Sequence, residues 1–210
     1  MAQENLDRSI KGFLNQSDEY LNKIYHREED INNVSHAITD YLVKSNQLSL
    51  PLADQKILGS MFYVVNDIER IGDHAENFAD YTKTELKHNT GLTGDAKEEI
   101  KKMYEAVSKL LKLSLESFMA QDGVNTQEDK LAEIAALEAS IDKMERRYQK
   151  HHIKRLAKGD CEPRAGLLFS DMLSELERIA DHSVNIAYSM SDEDEDEMLA
   201  AENEALATNN

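Results

Sequence analysis

Two short segments of the sequence each place a pair of carboxylates on one face of a helix. Residues 69–79 read ERIGDHAENFA and residues 177–187 read ERIADHSVNIA. The paired residues, Glu69 with Asp73 and Glu177 with Asp181, are four positions apart, so on a helix their Cβ atoms lie about 5–6 Å apart. Like charges at that spacing destabilise a helix slightly, and a bound cation reverses the cost. Asn77 extends the first acidic ridge.

One pair supplies too few oxygens for a hard cation, so each pair needs a partner helix. The predicted second site comprises Glu138, Asp142, Glu177 and Asp181, with Asn185 or water completing the shell. The predicted first site comprises Glu28, Asn32, Glu69 and Asp73. Because Asn32 stands where a carboxylate is expected, weaker binding is predicted at the first site. Oxygen ligands suit magnesium, manganese, calcium or iron, whereas zinc prefers His and Cys.

Other interpretations of these residues compete with metal binding. An acidic ridge beside an apolar stripe is more often a solvated helix flank. His74 and His182 each follow their Asp by one residue, which turns them about 100° away around the helix. Arg70 and Arg178 are better explained by salt bridges to acidic residues three positions away on either side. The metal interpretation therefore rests on the repetition of the carboxylate pairs.

The acidic segments belong to two related halves of the chain, because seven of their residue types coincide at a fixed offset of 108. Apolar residues three and four apart predict a helix through each segment. A long helix precedes each of them, Leu21 to about Asn46 in the first half and about Gln127 to Lys158, ended by Gly159, in the second. A capping-box pattern opens a further helix from Asp95 to about Ala120. The sequence therefore predicts an all-α protein of two tandem three-helix repeats.

The predicted repeats span residues 1–89 and 95–190, joined by residues 90–94. Only 27 residues precede Glu28, whereas 43 separate Asp95 from Glu138, so the first helix is predicted to be about 16 residues short. Two explanations stay open: the natural chain continues upstream of Met1, or the helix itself is short. Residues 191–210 carry eight acidic and no basic residues, which predicts a disordered tail.

Composition excludes several classes of protein. The net charge of -17 disfavours nucleic acid and anionic membrane surfaces, and favours cations and basic protein surfaces. The lone Cys161 cannot form an internal disulfide, which favours the cytoplasm. No apolar run approaches the roughly 18 residues of a membrane span. Neither a nucleophile with a neighbouring base nor a glycine-rich phosphate loop is present, so we expect no enzyme.

The two acidic segments and the helix that carries Glu138 to Asp142 resemble the PhoU family over residues 20–190. The stretch HHIKRLAKGDC, followed by GLLFSDMLSELERIADHSVNIA, looks most like the C-terminal domain of bacterial sodium/phosphate cotransporters. This resemblance implies tandem three-helix repeats, Glu-x-x-x-Asp motifs that bind metal, and regulation of phosphate uptake.

The resemblance also implies partners: a phosphate transporter, in the same chain or separate, or a sensor kinase. A homo-oligomer is compatible with it. The domain would then lie at the inner face of the cell membrane and reach the membrane only through the transporter. Two alternatives remain, a stand-alone PhoU-type regulator and a non-catalytic helical scaffold. A ferritin-like di-iron enzyme is disfavoured, because that fold needs two Glu-x-x-His motifs and only Glu85 to His88 offers one.

Overall fold

The computed structural model describes residues 1–88, 91–119 and 124–189, and all regular secondary structure within them is α-helical. The six helices are α1 (Ala2–Leu14), α2 (Leu21–Ser45), α3 (Leu52–His88), α4 (Gly94–Met119), α5 (Val124–Lys158) and α6 (Pro163–Tyr188). The predicted all-α fold of two three-helix repeats is confirmed. The predicted acidic tail, residues 191–210, lies outside the described residues, as do residue 89 of the predicted first repeat, residue 90 of the predicted connection and residue 190 of the predicted second repeat. None of the described helices is both long and apolar enough to cross a membrane.

Helices α3 and α6, which carry the two acidic segments, lie at the centre of the molecule. Helices α1 and α2 pack on α3, α4 and α5 pack on α6, and α3 packs on α6. The apolar stripes of the two central helices are fully buried at Ile71, Phe78, Leu176 and Ile179. Because side chains three and four residues apart share one helix face, burying these stripes fixes where the acidic ridges point.

The junction between α5 and α6 follows local sequence signals. Gly159 adopts a φ of +74°, a left-handed conformation that glycine reaches without steric cost. The Asp160 N–H then donates to the Arg155 carbonyl, which closes the end of α5. Pro163 is the first residue of α6, and its missing N–H costs nothing there, because N–H groups in the first turn of a helix have no carbonyl within the helix to donate to. The predicted end of the long helix at Gly159 is confirmed.

The first helix is half as long as its counterpart, with 13 residues in α1 against 26 in α4. At 1.5 Å per residue these helices are about 20 and 39 Å long. The Asn5 side chain donates to the Ile24 carbonyl near the start of α2, and Gln16, just past α1, donates to Glu85 near the end of α3. The second half of α2 and the first half of α3 therefore extend beyond α1, and the predicted shortening is confirmed.

Candidate metal centres

The first acidic cluster lies where α2 packs closely on α3. A Cβ atom at Gly72 would lie 3.2 Å from Ile31 Cγ2, so glycine at this position allows the close approach. Glu28 and Asn32 flank Ile31 on α2, and Glu28 is buried against α3. The predicted partner residues of the first repeat are thus brought to the helix that carries the Glu-x-x-x-Asp motif.

Three carboxylates of α3 act on Glu28. Burial, followed by the charges of Glu76, Asp73 and Glu69, raises the pKa of Glu28, while a hydrogen bond from Asn32 lowers it in part. The pKa of Glu76 is itself raised by burial and by neighbouring carboxylates, among them Asp73. The cluster therefore holds negative charges that repel one another in the absence of a counter-ion.

The second acidic cluster lies between α5 and α6. Burial and the charges of Asp142 and Asp181 raise the pKa of Glu138. Burial, followed by Asp181, Glu145 and Asp142, raises the pKa of Glu177. Burial and Asp142 also raise the pKa of Asp181. Asp142 and Asp181 therefore act on both Glu138 and Glu177, and Asp142 also acts on Asp181.

Two members of these clusters were missed by sequence reasoning. Glu76 lies seven residues after Glu69, on the same helix face, and its counterpart in the second repeat is Val184. Glu145 lies three residues after the motif aspartate of α5, and its counterpart is Ser35. Both residues were missed because the ligands were chosen by comparing the two repeats, and neither residue has an acidic counterpart in the other repeat. The spacing of three and seven along a helix was the signal that could have found them.

The donor chemistry of the clusters fits a hard cation. Glu28 Oε1 and Asn32 Oδ1 are buried and lack a hydrogen-bond partner, which leaves two oxygen acceptors that a cation could satisfy. Within the described residues, however, no three His, Cys, Asp or Glu side chains already converge on a position that could hold a metal ion. Metal binding at either cluster therefore requires side chains to rotate towards the ion.

The two motif histidines face the opposite repeat instead of the acidic clusters. His74 pairs through Nδ1 with buried Glu175 of α6. Asn77 Nδ2 donates to Glu175 at 3.1 Å, and the Tyr81 hydroxyl donates at 3.3 Å. Burial acts to raise the pKa of Glu175, but these hydrogen bonds outweigh it and the pKa lies below its ordinary value. Asn77 therefore joins the repeats, which corrects its predicted place on the acidic ridge.

A reciprocal contact runs the other way between the repeats. His182 of α6 lies 2.8 Å from Asp67 of α3 through Nδ1, and its ring centroid is 5.4 Å from that of His74. The predicted helix-face salt bridge from Arg70 to Asp73 is present at 3.5 Å. Asp67, which was predicted to pair with Arg70, pairs with His182 instead. Each histidine thus links α3 to α6 at equivalent places in the repeat.

Residues 150–155 of α5, which read KHHIKR, form a basic stretch that faces a groove of about 350 Å³ against α4. His151 Nδ1 lies 2.6 Å from Glu99 Oε1, and Arg155 Nη2 lies 2.8 Å from Glu99 Oε2. Asp95 and Glu98 add further acidic side chains to the lining. The basic groups are therefore balanced by carboxylates, and the groove is not a candidate anion site.

Comparison with known proteins places the chain in a family. The family model described as PhoU domain matches residues 1–82 and 100–190. The chain belongs to the PhoU family. A curated relative, the phosphate-specific transport system accessory protein PhoU homolog 1 of Thermotoga maritima, is 20% identical over 187 residues, which cover 89% of this chain and 78% of the relative.

Solved PhoU structures share the architecture. PhoU from Pseudomonas aeruginosa superposes with a TM-score of 0.78 at 21% identity, covering 90% of this chain and 87% of that one. The phosphate transport system regulatory protein PhoU from Streptococcus pneumoniae superposes with a TM-score of 0.75 at 22% identity, covering 90% and 88%. At these identities the similarity shows the fold, and the PhoU fold carries both acidic clusters of this chain.

Proposed function

We propose that this PhoU-family chain is a non-catalytic regulator of phosphate transport that binds metal ions at its two acidic clusters. The observation that carries the proposal is the pair of clusters, in which facing helices hold carboxylates against one another. Such an arrangement costs stability without a cation and gains it with one. The metal supplies positive charge, while the residues of the chain position it between two helices.

The residues proposed to hold metal are those singled out in the sequence, with Glu76 and Glu145 added. The first set is Glu28, Asn32, Glu69, Asp73 and Glu76. The second set is Glu138, Asp142, Glu145, Glu177 and Asp181. Oxygen donors alone suit magnesium, manganese, calcium or iron. Tighter binding is expected at the second set, because it has five carboxylates against four.

The similar proteins favour a separate regulator over the tail of a cotransporter. The Thermotoga relative is named an accessory protein of a phosphate-specific transport system, and the Streptococcus neighbour is named a regulatory protein of a phosphate transport system. Neither name describes a sodium/phosphate cotransporter, so nothing supports the more specific resemblance drawn from the sequence. We therefore propose a phosphate transporter or sensor kinase as a separate partner, met on the cytoplasmic side of the membrane.

Metal binding is tested by titrating purified, EDTA-stripped protein with manganese or ferric ion in a calorimeter. We expect saturable binding, weakened at least about tenfold when Glu177→Gln and Asp181→Asn are combined. The matched control is Glu116→Gln, an exposed carboxylate whose nearest charged neighbour is Lys112 at 3.9 Å. Binding that is absent, or equal in all three proteins, would remove the metal from the proposal.

The regulatory role is tested separately by phosphate uptake in cells that lack their own PhoU protein. Expression of the wild-type chain should restrain or restore regulated uptake, and the double variant in the second cluster should do so less well. If metal binding is lost but regulation persists, the clusters stabilise the fold only. If neither the wild-type protein nor the double variant affects uptake or binds a transporter or kinase, the scaffold interpretation is the better one.

A further inference from the structure

The outward side of the second half of α5 carries basic residues and no acidic ones. These residues recur three and four positions apart, so they share one side of the helix, and all of them are exposed. We name this surface the basic face, and it consists of Lys143, Arg146, Arg147, Lys150, Lys154 and Lys158. Glu145, the one acidic residue within positions 143–158, acts on Glu177 of α6 instead. Positive charge is thus concentrated on one surface of a chain whose net charge is -17.

The lysines of the basic face lack the carboxylate partners that lysines on the neighbouring helix have. All five lysines of α4 lie within 4.0 Å of a carboxylate oxygen. Within the described part of the chain, no ion pair involves any of the four lysines of the basic face. Arg146 pairs with Asp142, while His151 and Arg155, which lie towards the groove against α4, pair with Glu99. At 1.5 Å per residue, the four lysines therefore form a row of uncompensated charge about 22 Å long.

The opposite charge is concentrated in the acidic tail, residues 191–210. An unbroken run of six acidic residues fills positions 192–197, Glu202 and Glu204 follow, and the tail contains neither Lys nor Arg. Eight negative charges of the tail thus match six positive charges of the basic face. Complementary charge of this kind favours association of the two surfaces.

The tail begins close enough to reach the basic face. The Tyr188 hydroxyl at the end of α6 donates to the Leu131 carbonyl of α5 at 3.4 Å. Along α5, Lys143 lies about 18 Å and Lys154 about 35 Å beyond Leu131, and the path round α5 adds about 10 Å. An extended chain spans about 3.3–3.6 Å per residue, so Glu204, 15 residues past Ser189, reaches up to about 50 Å. The acidic residues of the tail are therefore able to lie along the basic face.

We propose that the acidic tail binds the basic face of its own molecule and so covers this surface against other acidic partners. Tethering in the same chain gives a binding segment an effective concentration of about millimolar order. An acidic protein or an anionic membrane must therefore displace the tail before it binds here. The contact makes the tail an autoinhibitory element of the second repeat.

Charge and tethering favour the tail of the same molecule over that of a second copy. Bringing together two chains that each carry a net charge of -17 costs long-range repulsion, whereas the tail of the same chain is held beside α5 already. The inference rests on charge and reach, and it does not depend on metal binding or on phosphate transport.

Energy transfer within the chain tests the proposal, because the protein has no Trp and a single Cys. Leu199→Trp places a donor in the tail, and an acceptor is attached to Cys161, which is partly exposed. Because Cys161 precedes α6, the 26 residues of that helix hold it about 39 Å from the place where the tail begins. A tail that lies on the basic face brings the donor towards Cys161, just beyond Lys158. Transfer is therefore expected in the intact protein at low salt, and it should be lost in about 1 M salt, where the Debye length is about 3 Å.

The matched comparison uses two pairs of charge reversals in this labelled protein. Lys150→Glu with Lys154→Glu should lower the transfer to its value in high salt. Lys109→Glu with Lys112→Glu changes the net charge equally, on a surface of α4 whose lysines already face carboxylates, and it should leave the transfer unchanged. Circular dichroism should show that both variants remain helical.

Transfer that both pairs of reversals leave unchanged, or lower equally, overturns the proposal. So does transfer that persists in high salt, because the contact is then not electrostatic. Transfer in a mixture of donor-only and acceptor-only protein would also overturn it, because the occupant is then the tail of a second copy.

Discussion

The two repeats carry equivalent apolar stripes but bury them to different extents. In the second repeat α4 covers the α5–α6 pair along most of its length, and Phe169 and Tyr148 are buried in its core. In the first repeat α1 covers only part of the α2–α3 pair, and the counterparts Met61 and Ile38 are exposed. An apolar stripe therefore shows which side chains could be buried, while the length of a third helix decides which of them are.

The largest expected difference between the repeats concerns stability. Phe169→Ala should lower the free energy of unfolding by about 3–5 kcal/mol, because it empties a fully buried position. Met61→Ala, at the equivalent position, should cost no more than about 1 kcal/mol. Urea unfolding of both variants measures the two effects. Equal losses would mean that Met61 is buried in solution.

The next difference concerns the reciprocal links between α3 and α6. Glu175→Ala should cost about 3 kcal/mol, since it leaves His74, Asn77 and Tyr81 without their shared acceptor. Asp67→Ala should cost less, about 1–2 kcal/mol, because His182 is its one described hydrogen-bond partner and is partly exposed. Denaturant unfolding at neutral pH measures the loss of stability in each variant. A larger loss for Asp67→Ala than for Glu175→Ala would contradict the described hydrogen bonds.

A smaller change should make the acidic clusters more alike. Asn32→Asp gives the first cluster the carboxylate that Asp142 supplies in the second, and should tighten metal binding there about tenfold. The reciprocal variant Asp142→Asn should weaken the second cluster by a similar factor. Calorimetric titration with manganese measures both. If neither Asn32→Asp nor Asp142→Asn changes the affinity for manganese, these two positions do not contact the ion.

The smallest effect should come from Glu76 in metal-free protein. Glu76→Gln should raise the free energy of unfolding by a few tenths of a kcal/mol at pH 7, because the raised pKa shows that the charged form is disfavoured in the folded state. The gain should fade as the pH falls and Glu76 itself takes up a proton. Glu116→Gln, outside the clusters, should show no such gain in parallel unfolding curves. A loss of stability on Glu76→Gln would contradict the repulsion.

Much of the fold was predictable, because it depends on local signals. Helix spacing predicted the helices, Gly159 predicted the end of α5, and the offset between Glu28 and Glu138 predicted the short first helix. The family resemblance was also confirmed, while the more specific resemblance to cotransporters gained no support. The eight metal ligands predicted from the sequence stay a prediction, although the structure brings each set of four to one pair of facing helices.

The residues that sequence reasoning missed or misplaced are those that depend on contacts between helices. Glu76 and Glu145 join the clusters without being repeated in the sequence. Asn77 and His74 turn towards Glu175, because α3 packs on α6 and buries that carboxylate. No periodicity within one helix could show which of its faces meets the opposite repeat.

The sequence by itself determined the helices, their pairing into two related halves and the carboxylate pairs on their faces, because all of these follow from spacing along one chain. Tertiary structure alone decided which carboxylates repel one another, which histidines link the repeats and where apolar surface stays open. The physical reason is that burial and charge interactions depend on distances between helices. Those distances are set by how the helices pack and how far each one extends.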